Sequence, residues 1–396
     1  MKRNIIYSFV AVILVCMSCT KIDDYKKYTD GKVIVYPGKA DSLKVYPGRN
    51  RAQLSWLLTS DPNIVKAVVY WNNKANHLDI PIVRGKGVDT IKVLIDPLPE
   101  GNYTFEVFTY NKKGDQSIVS TRQGASYGEE FEKSLLNRIM ESAVYQTGNS
   151  SIVVKWRAAD TTNLGAEIKY TTLDGQQLTK RVKKSDSQTI LVDCKLGEPI
   201  SYRTLFKPDS LSIDTFRSAY QSRQITELSL KNPGYPFIAS KMSGRWGELA
   251  EWITNAAAKN MSGGVGGFDS YNGGGYIAFE FWGTPSITNG KIYQTLTLPA
   301  GSYRFVTTIS EIANGSQNSL EGTYAVVALG NSLPDIANVG QSLGNFRFLN
   351  NSQNGKDYAI NFMLSQQQEI TIGYASTMFS VGNSSIRIRQ ARLYKN

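Results

Sequence analysis

The 396-residue chain has few of the side chains on which many hydrolases depend. It contains one histidine, His77, and three cysteines, Cys16, Cys19 and Cys194. His77 lies in the polar segment NNKANHLDI, where we expect an exposed loop histidine far in sequence from any candidate nucleophile. The sequence therefore gives no support to a serine–histidine or cysteine–histidine catalytic system. A histidine-rich metal site is excluded.

Long apolar runs and extended stretches of helical period are also scarce. The chain is nevertheless 41% hydrophobic and 11% aromatic, with 22 tyrosines and 34 glycines. This composition excludes wholesale disorder and favours strands joined by turns over helices. The length predicts two to four domains, because one hydrophobic core rarely serves so long a chain.

The first residues, MKRNIIYSFVAVILVCMSC, have the pattern of an export signal. A charged start precedes an apolar run that is too short to cross a membrane comfortably. We therefore predict a signal peptide over residues 1–18 and a polar tether over residues 19–31. Ser18–Cys19 resembles a bacterial lipobox, which implies lipidation of Cys19; ordinary cleavage, with Cys19 incidental, is the alternative. Asp23 and Asp24 resemble the acidic export signal of surface lipoproteins, which implies an outer-membrane, surface-exposed protein anchored by lipid only.

The formal net charge is +11, and the densest basic run is KRVKK, Lys180 to Lys184. In an exported protein we interpret this run as a solvated edge strand, where lysines block unwanted pairing. A nucleic-acid partner is not expected. If Cys16 leaves with the signal and Cys19 carries lipid, Cys194 has no partner and is expected to be a small buried apolar residue.

Two copies of one pattern lie about 100 residues apart. RAQLSW and SIVVKW each place alternate apolar residues on one face and end in Trp56 and Trp156. In each copy a leucine and a turn precede a tyrosine. Tyr103 comes 47 residues after Trp56, and Tyr202 comes 46 residues after Trp156. We expect all four aromatic residues to pack in cores rather than to bind ligands.

This arrangement resembles fibronectin type III domains, in which a tyrosine corner follows a tryptophan that packs under the core. The resemblance implies sandwich modules over residues 32–127 and 128–228. YPGRNRAQLSW, DPNIVKAVVYWNN, LPEGNYTFEVFTYNKKG and SYGEEFEKSLLNR also resemble an uncharacterised lipoprotein family of Bacteroidota found in glycan-utilisation systems. That resemblance spans about residues 20–225 and implies a place beside nutrient capture, without a known chemistry.

Residues 229–396 begin with a proline- and glycine-rich linker, NPGYP (Asn232 to Pro236), and then have a different pattern. Eight alternating segments are predicted as strands, and eight antiparallel strands of this length suggest a jelly roll. Alternation places Ile277, Phe279 and Phe281 on the inner face of one strand and groups Tyr324, Val326 and Ala328 on one face of another. IYQTLTLPAGSYRF and SSIRIRQARLYK resemble the galactose-binding-like jelly rolls that serve as carbohydrate-binding modules. The predicted fold is thus all-β: two immunoglobulin- or fibronectin-III-like sandwiches followed by a C-terminal β jelly roll.

The stretch SGGVGGFDSYNGGGYIAFEFW, Ser262 to Trp282, is the most unusual in the chain. It is not a phosphate-binding P-loop, because no Lys-Ser/Thr follows and a strand, rather than a helix, comes next. It could be the lip of a sugar-binding cleft or a plain connector. Sugar sites combine aromatic rings with amide and carboxylate groups. The candidate glycan-binding residues are therefore Tyr271, Trp282, Asp269, Asn272, Trp252 and Glu280.

Alternatives remain open for several of these residues. Trp252 could pack against the sandwich from a short amphipathic helix over residues 249–260, and Trp282 could be a core residue. On its strand, Glu280 is expected to face outward. A carboxylate pair such as Asp269 and Glu280 could in principle serve a glycosidase, but no glycosidase pattern surrounds it, so no enzyme activity is expected. No cofactor is expected; a structural calcium ion is a weak prediction, because no Asp-x-Asp-x-Asp run exists.

The resulting hypothesis is a surface lipoprotein whose C-terminal domain binds an oligosaccharide or polysaccharide, with the two sandwiches as spacers. The alternative is a structural or protein-interaction subunit that docks on an outer-membrane transporter, such as one for glycans, or on another surface complex.

Overall fold

The structure is a computed structural model that describes residues 36–59, 61–316 and 318–396. The predicted signal peptide, the tether and Cys19 lie outside the described residues. No helix in the described part of the chain is long and apolar enough to span a membrane. The chain forms two compact units, and residues 207–216 belong with the first unit although they interrupt the second unit in sequence.

The first unit is a sandwich of three strands facing four. The sheets have the orders β1-β2-β5 and β4-β3-β6-β7, and every pairing within them is antiparallel. Alternation places Ala52, Leu54 and Trp56 on the inner face, where all three are fully buried. The elements of this sandwich are β1 (Asp41–Gly48), β2 (Arg51–Leu58), β3 (Ile64–Trp71), β4 (Asn76–Pro81), β5 (Asp89–Ile95), β6 (Gly101–Asn111), β7 (Ser120–Ser126) and helix α1 (Glu129–Ser134).

The second unit begins with another sandwich. One of its sheets contains β12, β9 and β8, and the other contains β11, β10 and β13. Trp156 and Tyr202 pack edge to face in its core, with ring centroids 5.6 Å apart. The elements are β8 (Met140–Gln146), β9 (Ser151–Trp156), β10 (Asn163–Thr171), β11 (Gln177–Lys183), β12 (Gln188–Leu191), β13 (Ile200–Phe206), β14 (Phe216–Arg217), β15 (Gln221–Arg223) and β16 (Glu227–Leu228).

The basic run Lys180 to Lys184 lies on and just after β11, which pairs only with β10 and so forms an edge of its sheet. Its side chains are exposed except that of Val182, which faces the core. The prediction of a solvated edge strand is confirmed.

The C-terminal part of the second unit is a sandwich of two larger antiparallel sheets. One has the order β19-β22-β27-β24-β25, and the other runs from β26 through β23, β28, β21, β20 and β18 to β17. The elements are β17 (Ala239–Ser243), β18 (Trp246–Leu249), β19 (Ile253–Thr254), β20 (Phe268–Asp269), β21 (Tyr276–Phe281), β22 (Ile287–Leu298), β23 (Gly301–Ala313), β24 (Gly322–Leu329), β25 (Gly344–Phe348), β26 (Asp357–Leu364), β27 (Gln368–Met378) and β28 (Ser384–Lys395). Short 3-10 helices cover Ala256–Ala258, Tyr271–Gly273, Ile336–Gln341 and Asn351–Gln353.

The two sandwiches of the second unit share a continuous sheet. Leu228 of β16 pairs in parallel with Tyr145 of β8, and the same strand pairs antiparallel with β28. The predicted boundary at residue 228 therefore falls inside one compact unit.

One local prediction in the C-terminal sandwich is wrong. The segment over residues 249–260 is not an amphipathic helix; it contains β19 and one 3-10 turn, and Trp252 is buried from a bend between strands. In β24 the main core takes Ala325 and Val327, whereas Val326 and Ala328 pack in a smaller cluster with Leu333, Ile336 and Val339. Both faces of β24 are thus apolar, so alternation alone could not identify the inner one.

Cys194 is fully buried in the core of the second sandwich, as expected, and burial raises the pKa of its thiol to about 11. Because the thiolate is the reactive form, we predict that iodoacetamide at pH 8 leaves Cys194 unmodified in the folded protein and alkylates it fully in denaturant. Peptide mass spectrometry measures both states. Rapid alkylation without denaturant would contradict this burial.

Candidate functional site

The glycine-rich stretch lines an open groove on the C-terminal sandwich. Its residues Gly273 to Gly275 begin at the last residue of the 3-10 turn Tyr271–Gly273 and lead into β21 at Tyr276. The groove has a volume of about 490 Å³. Its other lining residues are Tyr235, Pro236, Ser310 and Arg389.

Two of these glycines are required by close packing. A Cβ on Gly275 would lie 2.2 Å from the carbonyl oxygen of Phe237, and one on Gly274 would lie 2.4 Å from the ring of Tyr276. The Gly275 carbonyl also accepts a hydrogen bond from the Phe237 amide at 3.0 Å. The glycines therefore let the Tyr235–Phe237 segment and the Tyr276 ring approach the loop, which shapes the groove.

Tyr235 presents the most exposed aromatic ring of the groove, with 62% of its surface accessible. The guanidinium carbon of Arg389 lies 4.0 Å from the centroid of the Tyr235 ring. The backbone amide of Tyr235 donates a hydrogen bond to the Arg389 carbonyl at 3.1 Å. Its backbone has a φ of 68°, a conformation that a bulky residue rarely adopts. The ring is thus held at the surface by its contacts with β28, a placement typical of functional sites.

Beside the groove, buried charges form a network across the outer face of the sheet. The Arg387 guanidinium donates to Asp269 at 2.8 Å, to Glu280 at 3.1 Å and to Glu311 at 2.9 Å. Arg245 bonds the same Glu280 carboxylate at 2.9 Å and forms an ion pair with Asp269 at 3.2 Å. Asp269 and Glu280 are thus each bound by both guanidinium groups, and Glu311 is a third carboxylate on Arg387.

Tyr271 lies above this network. Its ring centroid is 4.4 Å from the Arg387 guanidinium carbon and 5.3 Å from that of Arg245. Its amide donates to Asp269 at 3.0 Å. The charge network thus fixes Tyr271, whose ring remains 40% exposed.

The electrostatics oppose a role in proton transfer. Burial raises the pKa of Glu280, and the two arginines counteract that shift. Burial also lowers the pKa of Arg387, but its hydrogen bond and charge interactions with the carboxylates outweigh this and raise the pKa. The carboxylates are bound to guanidinium groups and shielded from solvent, so they are poorly placed to act as a general acid and base on a substrate.

The structure brings Asp269 and Glu280 together, but not at the surface. Asp269 is fully buried and Glu280 is 7% exposed, so neither presents a free carboxylate to a ligand. Glu280 does point away from the main core, but the network covers it. Trp252 is 5% exposed, and its indole nitrogen donates to the Asn232 carbonyl at 2.9 Å, which places it in the core.

The remaining candidates are exposed but separated. Asn272 lies in the 3-10 turn beside Tyr271, with a φ of 51°. Trp282 is 58% exposed, but it follows the end of β21, whereas Tyr271 follows β20 near the start of that strand. Six residues of strand span about 20 Å, so Trp282 lies away from the groove.

Sequence reasoning missed Tyr235, Tyr276 and Arg389. Tyr235 stands in the linker motif NPGYP, whose prolines and glycine indicate a domain boundary and give no sign of a binding residue. Arg389 alternates with Arg387 in SSIRIRQARLYK, and this period-two pattern is the signal that could have placed both arginines on the face opposite Ile386 and Ile388. Among the described residues, no group of three histidine, cysteine, aspartate or glutamate side chains could hold a metal ion.

The fold defines an all-β protein with fibronectin-III-like sandwiches. A two-domain fibronectin type III segment of chicken tenascin is 14% identical, with a TM-score of 0.21, covering 47% of this chain and 98% of its own. The FN1–FN3 domains of chicken CNTN1 are also 14% identical, with a TM-score of 0.23, covering 48% of this chain and 68% of their own.

At the level of sequence, the chain belongs to the family DUF4998, a domain of unknown function, whose model matches residues 19–216. A second domain of unknown function, DUF5013, matches residues 231–373, which include the glycine-rich loop. Among curated proteins, none matches this chain.

Proposed function

We propose that the chain binds a glycan non-covalently in the groove lined by Tyr235, the glycine-rich loop and Arg389. The observation that carries this proposal is the exposed Tyr235 ring, held on Arg389 beside a loop whose backbone is open to approach. Ligand sites of about 300–1,000 Å³ combine aromatic surface with a few fixed polar groups, and the groove is of this size.

Each part of the groove matches a feature of a sugar ring. One face of a pyranose carries mainly C–H groups, which pack on an aromatic ring such as Tyr235 or Tyr276. The hydroxyl groups at its edge need donors and acceptors, which Arg389, Ser310 and the peptide groups of the loop supply. Arg389 also keeps the Tyr235 ring in place, which lowers the entropy lost on binding.

The cellular setting of the proposal comes from the sequence. Lipidation at Cys19 would anchor the chain to the outer membrane, and the fibronectin-III-like sandwiches would act as spacers. Their fold suits a spacer or an interaction module. The groove would then be presented to glycans outside the cell.

The test compares two tyrosine variants. We expect Tyr235→Ala to lower glycan affinity at least about tenfold, because the stacking surface is lost. Tyr220→Ala is the matched control, since Tyr220 also stacks on an arginine, Arg203 at 4.5 Å, but lies in the second sandwich. Isothermal titration against glycans chosen from a broad array measures both.

Two outcomes would contradict the proposal: a folded protein that binds no glycan of the panel, or a Tyr235→Ala variant that binds as tightly as the parent. Co-purification with a transporter or another surface protein, without glycan dependence, would support the interaction role instead.

A further inference from the structure

The second sandwich carries an open cleft of its own, away from the groove. It has a volume of about 720 Å³ and lies where β9 ends and the β11–β12 turn begins. Its lining includes Arg138, Trp156, Lys183 and Lys184, together with Ala158 and Ala159. Three of these six side chains are cationic, and no acidic side chain lines the cleft.

Arg138 is the most unusual of these residues. It is only 7% exposed, yet it forms no ion pair with any described residue. Its hydrogen bonds go to three main-chain carbonyls: Arg157 at 2.7 Å, Lys183 at 3.4 Å and Asp186 at 2.9 Å. A guanidinium has five N–H groups, so two of them have no hydrogen-bond partner in the described part of the chain. The guanidinium carbon also lies 5.6 Å from the ring centroid of Trp156, a contact that compensates only part of the charge.

A buried positive charge without a carboxylate is costly and is normally neutralised. Here burial lowers the pKa of Arg138, and Asp186 counteracts that shift only in part. The Asp186 side chain accepts from the Lys183 amide at 3.0 Å instead of pairing with the guanidinium. The site therefore has a deficit of negative charge.

The two lysines add to this deficit. Both are exposed, and the Lys184 ammonium donates only to the Thr161 carbonyl, at 3.0 Å. Two serines, Ser185 and Ser187, also line the cleft, and their hydroxyl groups form no hydrogen bond within the described residues. The cleft thus offers a fixed guanidinium, two mobile ammonium groups and two hydroxyl donors.

We propose that this cleft binds an oxyanion: a sulfate, phosphate or carboxylate group carried by a small organic compound. Guanidinium and ammonium donors are the groups that recognise such oxygens in proteins. The carbon skeleton of the compound would lie against Ala158 and Ala159. The site is independent of the glycan groove and gives Lys183 and Lys184, at the end of the basic run, a role beyond blocking edge-strand pairing.

The test uses the purified full chain in a low-salt buffer free of phosphate. Isothermal titration is carried out with inorganic sulfate, inorganic phosphate, glucuronic acid and glucose 6-sulfate, with glucose as the neutral control. We expect charged probes to bind and glucose not to bind, with affinity falling as salt screens the charges. The double variant Lys183→Gln/Lys184→Gln should weaken binding about tenfold or more.

The control variant is Lys155→Gln/Arg181→Gln, which removes the same charge from exposed positions of the same sandwich outside the cleft. It should bind within about twofold of the parent. The lysines are chosen because Arg138 also holds three carbonyls, so its loss could unfold the sandwich. Equal binding of inorganic sulfate and glucose 6-sulfate would show recognition of the group alone, and tighter binding of the ester would show that the alanine surface contributes.

The proposal is overturned if no charged probe binds, if glucose binds as well as its sulfate, or if the control variant loses as much affinity as the lysine variant. The Tyr235→Ala variant keeps this test separate from the glycan groove, because it should leave oxyanion binding unchanged.

Discussion

Arg387→Met is expected to destabilise the second unit by about 3–5 kcal/mol, the cost typical of breaking a buried ion network from one side. The arginine is 7% exposed, and its removal leaves the fully buried Asp269 and the nearly buried Glu280 with only Arg245 as a cationic partner. Urea unfolding followed by tryptophan fluorescence measures the change, as a shift in the transition of this unit.

Arg304→Met is the matched control. Arg304 is exposed on β23 and stacks on Tyr394 at 5.1 Å, so its loss should change the free energy of unfolding by less than about 0.5 kcal/mol. Adding Asp269→Asn to Arg387→Met should recover part of the loss, because it removes a charge that has lost a partner. A cost below about 1 kcal/mol for Arg387→Met would show that the network contributes little.

The charge network of Arg387, Arg245, Asp269 and Glu280 also affects how glycan-binding variants are interpreted. Tyr271 rests on Arg387 and Arg245, so a change at either arginine moves an exposed aromatic ring next to the glycine loop. A glycan-affinity loss in Arg387→Met therefore cannot be assigned to a direct contact. Tyr235, outside the network, is the cleaner position for the binding test.

Sequence patterns predicted the strands of the sandwiches well, because a half-buried strand alternates apolar and polar residues. The alternating segments RAQLSW and SIVVKW form β2 and β9, and all eight predicted C-terminal segments are strands. The four short strands β17 to β20 were missed. They contain two to five residues each, which is too short for a period to be read.

The site was harder to predict because burial on the outer face of a sheet does not follow alternation. Glu280 faces outward from the main core, as its phase predicts, but partners distant in sequence, Arg245 and Arg387, bury it there. Arg138 gave no sequence signal, because its lack of a carboxylate partner depends on which carbonyls surround it in space. Tyr271 was predicted as an exposed aromatic residue in a glycine loop, and it is one.

The hexapeptide pattern Leu-Pro-x-Gly-x-Tyr occurs twice, at residues 98–103 and 298–303, and folds in the same way each time. The Tyr103 hydroxyl donates to the Pro99 carbonyl at 2.8 Å, and the Tyr303 hydroxyl donates to the Pro299 carbonyl at 2.8 Å. The corner expected at Tyr103 is therefore present, whereas Tyr202 donates to the Gln221 side chain instead. The corner at Tyr303 was not anticipated.

Tyr303→Ala should cost about 3–5 kcal/mol in the second unit, because it removes a fully buried ring stacked on Phe362 at 5.5 Å. Tyr303→Phe should cost about 1–3 kcal/mol, because it keeps the ring but leaves the Pro299 carbonyl without its donor. Urea unfolding of both variants separates the ring from the hydroxyl. Tyr103→Phe, whose hydrogen bond is exposed, should cost less than about 1 kcal/mol and affect only the first unit.

The Tyr303 corner should also limit stability at high pH. Burial raises the pKa of Tyr303 to about 12 in the folded chain, whereas an unfolded tyrosine ionises near pH 10. Between these two pH values the folded state holds the proton that the unfolded state has lost. The stabilising contribution of the Tyr303 hydroxyl to the free energy of unfolding is therefore complete below about pH 10 and declines as the pH rises towards 12. Tyr303→Phe should reduce that decline. An unchanged dependence on pH in this variant would assign the alkaline loss of stability to other groups, with Tyr374 the next to test because it is fully buried and its pKa is also raised by burial.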